Sequence, residues 1–399
     1  MGPPLPASAV GALEATMARR QPTASGRASR SASSHPRALA AAIANHERAI
    51  AWRMAARLGP AERACRRALA GYLATEGPRH PDVANALVDL GAILEARDRP
   101  REAARCHRRA LGILTARRAL ELDLIRLAVH ARLALAGLDR ARGALGSSET
   151  GYRRALGDIR RRLPAGDRLL AHALNGMGVL RKAEGRYAEA LAYYRRALAH
   201  VARGDRTMIA TLHHNLGGSE HARGRYAEAE VHARRSVRLR DALVGSDHPA
   251  LAADLAALGA IVEARGHLDQ AADLYARALA IFRRALGGQC LEVGLTLASL
   301  AGIEQQRHRI ARARGLFTRA LAILERLLGR HHADVALTIN NLGTLERDAG
   351  NGQLSDRLFR RAVGSFERTL GGRHAYTRAA RRNLGTGRSL RVKRVRRAP

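Results

Sequence analysis

The chain has 399 residues and a formal net charge of +34, and 46% of its residues are apolar but only 3% aromatic. No apolar run approaches the roughly 20 residues a membrane-spanning helix needs. Three widely separated cysteines, Cys65, Cys106 and Cys290, exclude a disulfide scaffold and a CxxC-type zinc site and fit a reducing, cytoplasmic setting.

So large a positive charge attracts nucleic acid or another polyanion. The same bias has a second source. Lys182 and Lys393 are the only lysines and alanine is abundant, the pattern of a GC-rich coding sequence, so charge alone names no ligand.

Residues 1–36 are rich in Pro, Ser, Ala and Arg. This composition buries too little apolar surface to order itself and predicts a disordered arm; an organelle transit peptide shares it. From Arg37 to Thr75 a faint helical pair is expected. Ala49 and Ala68 stand nineteen apart, Ala56 replaces a turn glycine, and Trp52 falls on a core position.

A stronger pattern follows. Small residues at Gly91, Ala136, Gly178, Gly217, Gly259, Ala301 and Gly343 are each followed nineteen positions on by Ala110, Ala155, Ala197, Ser236, Ala278, Ala320 and Ala362. Successive first members are 45, 42, 39, 42, 42 and 42 residues apart, and Gly385 begins an orphan copy another 42 on. Self-similarity at this period marks a stacked repeat. A turn seven residues after the small residue, often Gly-initiated as at Gly185, Gly224 and Gly266, separates two helices of about fourteen to sixteen residues with apolar positions at helical spacing. Gly245, Gly287, Gly329 and Gly371 end the second helices, and linkers such as His80-Pro81 and His248-Pro249 start the next unit. The array is expected to be irregular between about 112 and 216. A single closing helix is predicted near Ala375–Leu384, and then a basic tail without helical periodicity over 386–399.

The strings HPDVANALVDLGAILEARDRPREAARCHRRAL (80–111) and NNLGTLERDAG (340–350) resemble the tetratricopeptide repeat, and the 42-residue period and HP linker resemble its kinesin light chain variety. The resemblance covers about 37–385. It implies an all-α fold: a right-handed superhelical solenoid of antiparallel helix pairs whose first helices line a concave groove for a peptide or partner helix. It also implies a non-catalytic interaction scaffold with no cofactor.

Carried over by position, the groove is lined three before the small residue by Val88, Leu133, Asn175, His214, Ala256, Ala298 and Asn340. Six before it stand Asn85, His130, His172 and Thr211. Four after it stand Glu95, Arg140, Lys182, His221, Glu263, Gln305 and Arg347. Asparagine offers both a donor and an acceptor to an extended backbone, while Arg140, Lys182 and the histidines suit an acidic peptide. The alternative is that these are ordinary polar residues on a scaffold that binds elsewhere.

Neither a phosphate-binding loop nor a zinc-protease or nucleophile-elbow motif occurs. His80, His248, Cys290, His332 and His374 hold equivalent linker positions, but packed helices stand 8–10 Å apart, too far for one ion to bridge successive repeats. Paired arginines recur on the second helices at Arg108/Arg109, Arg153/Arg154, Arg195/Arg196, Arg234/Arg235 and Arg360/Arg361. Such a stripe could track phosphates, but without aromatic platforms it would not read bases. The tail residues Arg388, Arg391, Lys393, Arg394, Arg396 and Arg397 form the other polyanion candidate.

Overall fold

A computed structural model describes residues 36–55, 57–117 and 120–395, with side chains through Gly385. The N-terminal arm, Ala56, Arg396 and Arg397 therefore lie outside the described residues. Seventeen helices and no strand occur among those described. In chain order they are α1 (Pro36–Met54), α2 (Leu58–Thr75), α3 (Pro81–Ala96), α4 (Pro100–Thr115), α5 (Leu122–Ala141), α6 (Leu145–Arg162), α7 (Leu169–Ala183), α8 (Tyr187–His200) and α9 (Arg206–Ala222). There follow α10 (Tyr226–Val244), α11 (Pro249–Ala264), α12 (Leu268–Leu286), α13 (Leu291–Gln306), α14 (Ile310–Leu328), α15 (Ala333–Asp348), α16 (Gly352–Leu370) and α17 (Ala375–Val395).

The chain divides after Arg223 into two compact units. Within 36–223 the consecutive helices α1/α2, α3/α4, α5/α6 and α7/α8 pair as antiparallel hairpins, and α9 follows. Within 224–395 the hairpins are α11/α12, α13/α14 and α15/α16, preceded by α10 and closed by α17. Each hairpin covers its apolar face with its neighbours, so the core of a unit is a succession of buried clusters along the repeats. One part joins Tyr152, Leu174, Met177, Leu191 and Tyr194; another joins Leu255, Ile261, Tyr275, Phe282 and Leu297.

The hairpin turn sits where the spacing places it, but glycine is not its constant. All seven residues that follow the small residue by seven have positive φ. Five are glycines, Gly143, Gly185, Gly224, Gly266 and Gly350; the others are Asp98 (φ 56°) and His308 (φ 59°). The turn geometry is thus imposed by the two packed helices, and the sequence satisfies it with glycine only where it can.

The irregular stretch has a simple form. α5 runs 20 residues, whereas α8 has 14 against the 19 of α10, α12, α14 and α16. An added turn early and a missing one later restore the period. At the C-terminus the helical backbone of α17 continues to Val395, past the expected stop near Leu384. Residues 386–395 are therefore helix and not an irregular tail.

Candidate functional site

Each first helix is organised by its small residue. A Cβ on Gly91 would lie 2.5 Å from the imidazole of His107, and one on Gly178 would lie 2.4 Å from the ring of Tyr194. Gly259 faces Tyr275 and Gly343 faces Phe359 in the same way. In six of the seven repeats the knob is a buried ring sixteen residues after the small residue; after Gly217 that position is Ala233. This partner was not read from the sequence, although His107, Tyr152, Tyr194, Tyr275, Phe317 and Phe359 form a legible ring-bearing column.

The knobs explain the positions four after the small residue. His107 Nε2–H donates to Glu95 Oε1 at 2.7 Å, Tyr275 OH donates to Glu263 Oε2 at 3.1 Å, and Arg140 lies close enough to Tyr152 to act on its phenol. The Arg347 guanidinium lies 5.4 Å from the Phe359 ring centroid. These side chains meet the knob of their own repeat, and Glu263 Oε1 also accepts from Gln306 Nε2 of the next repeat at 3.0 Å. Lys182 differs. Its ammonium reaches the next repeat, where Gly218 leaves room for it: a Cβ there would be 2.8 Å from Nζ. Burial lowers the Lys182 pKa.

Within 36–223 a polar chain crosses successive first helices. On α1 and α3, His46 Nε2–H donates to Asp89 Oδ2 at 2.9 Å, and Arg53 approaches the same carboxylate at 3.8 Å. Burial alone would raise Asp89, but His46 and Arg53 hold it below the usual carboxylate value. On α5, burial and then the neighbouring His107 push His130 down to about 4, with Asp89 opposing. Burial also lowers His172 on α7, and Asp205 opposes. His221 on α9 is lowered by burial, with Lys182 adding to it. Arg140 Nε and His172 Nδ1 are shielded from solvent without a hydrogen-bond partner among the described residues. Buried polar groups are rarely left so.

The asparagine track is more occupied than the sequence suggests. Asn175 is buried and its Oδ1 accepts from Asn215 Nδ2 at 2.8 Å. Asn340 Oδ1 accepts from Asn383 Nδ2 at 3.1 Å. Both are stitched to the next repeat before any ligand arrives, and neither Asn215 nor Asn383 was singled out from the sequence. Asn85 is exposed, whereas Thr211 is buried and its hydroxyl donates to Thr207 O in its own helix. Of the adjacent histidines, His213 is buried and His214 only half-buried. Val88 and Ala256 are core residues. The structure therefore gathers His130, Arg140, His172, Asn175, Lys182, His214 and His221 on neighbouring first helices of one unit. Asn340 and Arg347 belong to the other.

The linker histidines are helix caps. The backbone N–H groups of Asp82, Ala250, Asp334 and Tyr376 donate to Nδ1 of His80, His248, His332 and His374 at 3.1–3.3 Å. The histidine occupies the place that Ser or Asp takes at other helix starts. Among the described residues no group of three His, Cys, Asp or Glu side chains is placed to hold a metal ion, and no helix is long and apolar enough to cross a membrane. The second-helix arginines Arg108, Arg109, Arg153, Arg154, Arg195 and Arg196 are exposed as expected. Of the tail residues, Arg388, Arg391, Lys393 and Arg394 fall on the backbone of α17.

The family model described as tetratricopeptide repeat matches residues 39–116, 208–284 and 292–363, more than half of the chain, and a second model of the same repeat matches 173–208. The chain belongs to the tetratricopeptide repeat family. No curated protein matches it. Among solved structures, the apo quorum sensor NprR from B. thuringiensis is 14% identical, with 82% of this chain and 87% of that one covered and a TM-score of 0.61. Apo RapI is 11% identical over 88% of this chain and 98% of its own, with a TM-score of 0.54. BtubC (BKLC) from P. vanneervenii is 22% identical over 59% and 93%, with a TM-score of 0.46. At these identities NprR and RapI share the tetratricopeptide fold with this chain and nothing finer.

Proposed function

We propose that the protein is a non-catalytic interaction scaffold whose first-helix face within residues 36–223 binds a peptide segment carrying carboxylates. The observation that carries this reading is the pair of shielded, partnerless atoms, Arg140 Nε and His172 Nδ1, on the adjacent first helices α5 and α7. Lys182 reinforces it, because its half-buried ammonium lies over the glycine gap at Gly218. A carboxylate in this region would gain charge-assisted hydrogen bonds from Arg140 and Lys182. The hydrogen bond between buried Asn175 and half-buried Asn215 ties α7 to α9 beside these groups. A panel of labelled acidic and neutral peptides, titrated by fluorescence anisotropy at low and high salt, tests it. Selective binding of acidic peptides that survives high salt and weakens in Lys182→Ala and Asn175→Ala is expected. Equal binding of acidic and neutral peptides, or affinities untouched by either variant, would sink the reading.

A second reading rests on the exposed arginine pairs of the second helices. It makes the protein a basic scaffold for nucleic acid or another polyanion through those faces and residues 386–399. Its signature is affinity for arbitrary DNA that falls steeply with salt and is lost when 386–399 are deleted.

A further inference from the structure

Within 224–395 successive repeats are joined by a rung that recurs every 42 residues. Arg284 Nη2 donates to Asp247 Oδ1 at 2.5 Å, Arg326 Nη2 to Gln289 Oε1 at 2.5 Å, and Arg368 Nη1 to His331 Nε2 at 3.2 Å, each pair 37 residues apart. The arginine is constant, but its acceptor changes from carboxylate to amide to imidazole. At the first rung the two charges cancel; at the third the guanidinium keeps its full charge, and His331 meets it only with a lone pair.

At that third rung the surface opens into a cavity of about 260 Å³. Arg330 and His331 from the linker between α14 and α15 line it, together with Arg360, Arg361 and Arg368 of α16. Gly364 forms part of the wall, and a Cβ there would meet nothing, so the space is open. Arg361 is paired with Glu325. Arg330 and Arg360 have no ion pair among the described residues. Four arginines therefore line one hollow, and two of them have no carboxylate partner, a concentration of positive charge that a bound anion would relieve.

We propose that this cavity is a binding site for a phosphate group. Guanidinium forks match the oxygens of a tetrahedral dianion and bind them with paired, charge-assisted hydrogen bonds. The volume is several times the ~30 Å³ share of one water molecule, so it admits the phosphate together with the first atoms of whatever carries it. Being built from a second helix and a linker, the site is independent of the first-helix peptide reading.

Isothermal titration calorimetry on the full chain, at fixed ionic strength set with sodium chloride, tests the site with inorganic phosphate and with O-phosphoserine. A single saturable site is expected, weakened about tenfold or more in Arg360→Ala/Arg368→Ala and unchanged in the control Arg284→Ala/Arg326→Ala. Tighter binding of O-phosphoserine than of phosphate assigns the group to a phosphorylated carrier; equal binding assigns it to the free ion. Should the double variant lose its helical circular dichroism, Arg330→Ala, an exposed linker substitution, carries the same expectation. The proposal is overturned by no saturable heat with either probe, by equal loss in the control rungs, or by binding of duplex DNA without binding of phosphate.

Discussion

His308 and Asp98 hold left-handed backbone at a turn where five sister repeats use glycine. For a ring-bearing residue that conformation costs of order 1 kcal/mol or more, offset in part by the greater freedom glycine has in the unfolded chain. His308→Gly is therefore expected to raise unfolding free energy by about 0.5–1 kcal/mol, read as a shift of the urea midpoint at unchanged slope. The opposite outcome follows at Gly178, where a Cβ would stand 2.4 Å from the Tyr194 ring. Gly178→Ala should cost about 1–3 kcal/mol by overpacking. Gly302, inside α13 with nothing near its Cβ position, should gain about 0.5–1 kcal/mol on becoming alanine. The three substitutions together separate turn strain, close approach and helix entropy. The small residues are plain in the sequence, but what each makes room for is not, because the knob comes from another helix sixteen residues on.

At the scale of elements, two interactions tie neighbouring helices and should dominate their stability. Arg240 on α10 donates to Asp254 on α11 at 3.0 Å, and both side chains are almost fully buried. Asp254→Ala leaves a buried guanidinium without its carboxylate, and a loss of about 3–5 kcal/mol is expected in thermal or urea unfolding. On α5, His130 has a folded pKa of about 4 against an ordinary value of 6.5. The fold favours its neutral form, so its contribution is complete above pH 6.5 and disappears as the pH falls through 4. Unfolding free energy should drop by roughly 2–3 kcal/mol across that window from this group. His107 on α4, His172 on α7, Asp89 on α3 and Arg53 on α1 face it or act on it. A flatter profile in His130→Gln would bear this out; an identical profile would place the dependence on its neighbours.

For the whole molecule, the charge of +34 is distributed over roles that composition cannot separate. Many arginines are consumed in joining repeats. Glu62 receives Arg66, Arg97 and Arg99, Arg181 binds Glu149 and Glu184, and Arg314 clasps Glu346. Others, such as Arg108 and Arg109, stay in solvent. Raising salt is accordingly expected to leave the melting temperature within a few degrees, since exposed pairs contribute about 0–1 kcal/mol each; differential scanning calorimetry at low and high salt checks this.

The all-α repeat was decided by the sequence alone, because periodicity is local. Small residues seven before a turn, glycines at helix ends and apolar spacing are enforced within each unit and written again every 42 residues. The first-helix positions were legible in the same way, as register. Their chemistry was not. Whether Asn175 faces a ligand or Asn215, whether Arg140 lies free or on Tyr152, and whether His332 binds a metal or caps α15 each depend on a side chain from another helix. The cavity beside Arg368 is the sharpest instance. Its arginines come from α16 and a linker about thirty residues earlier, and only stacking of the repeats brings their charges into one hollow.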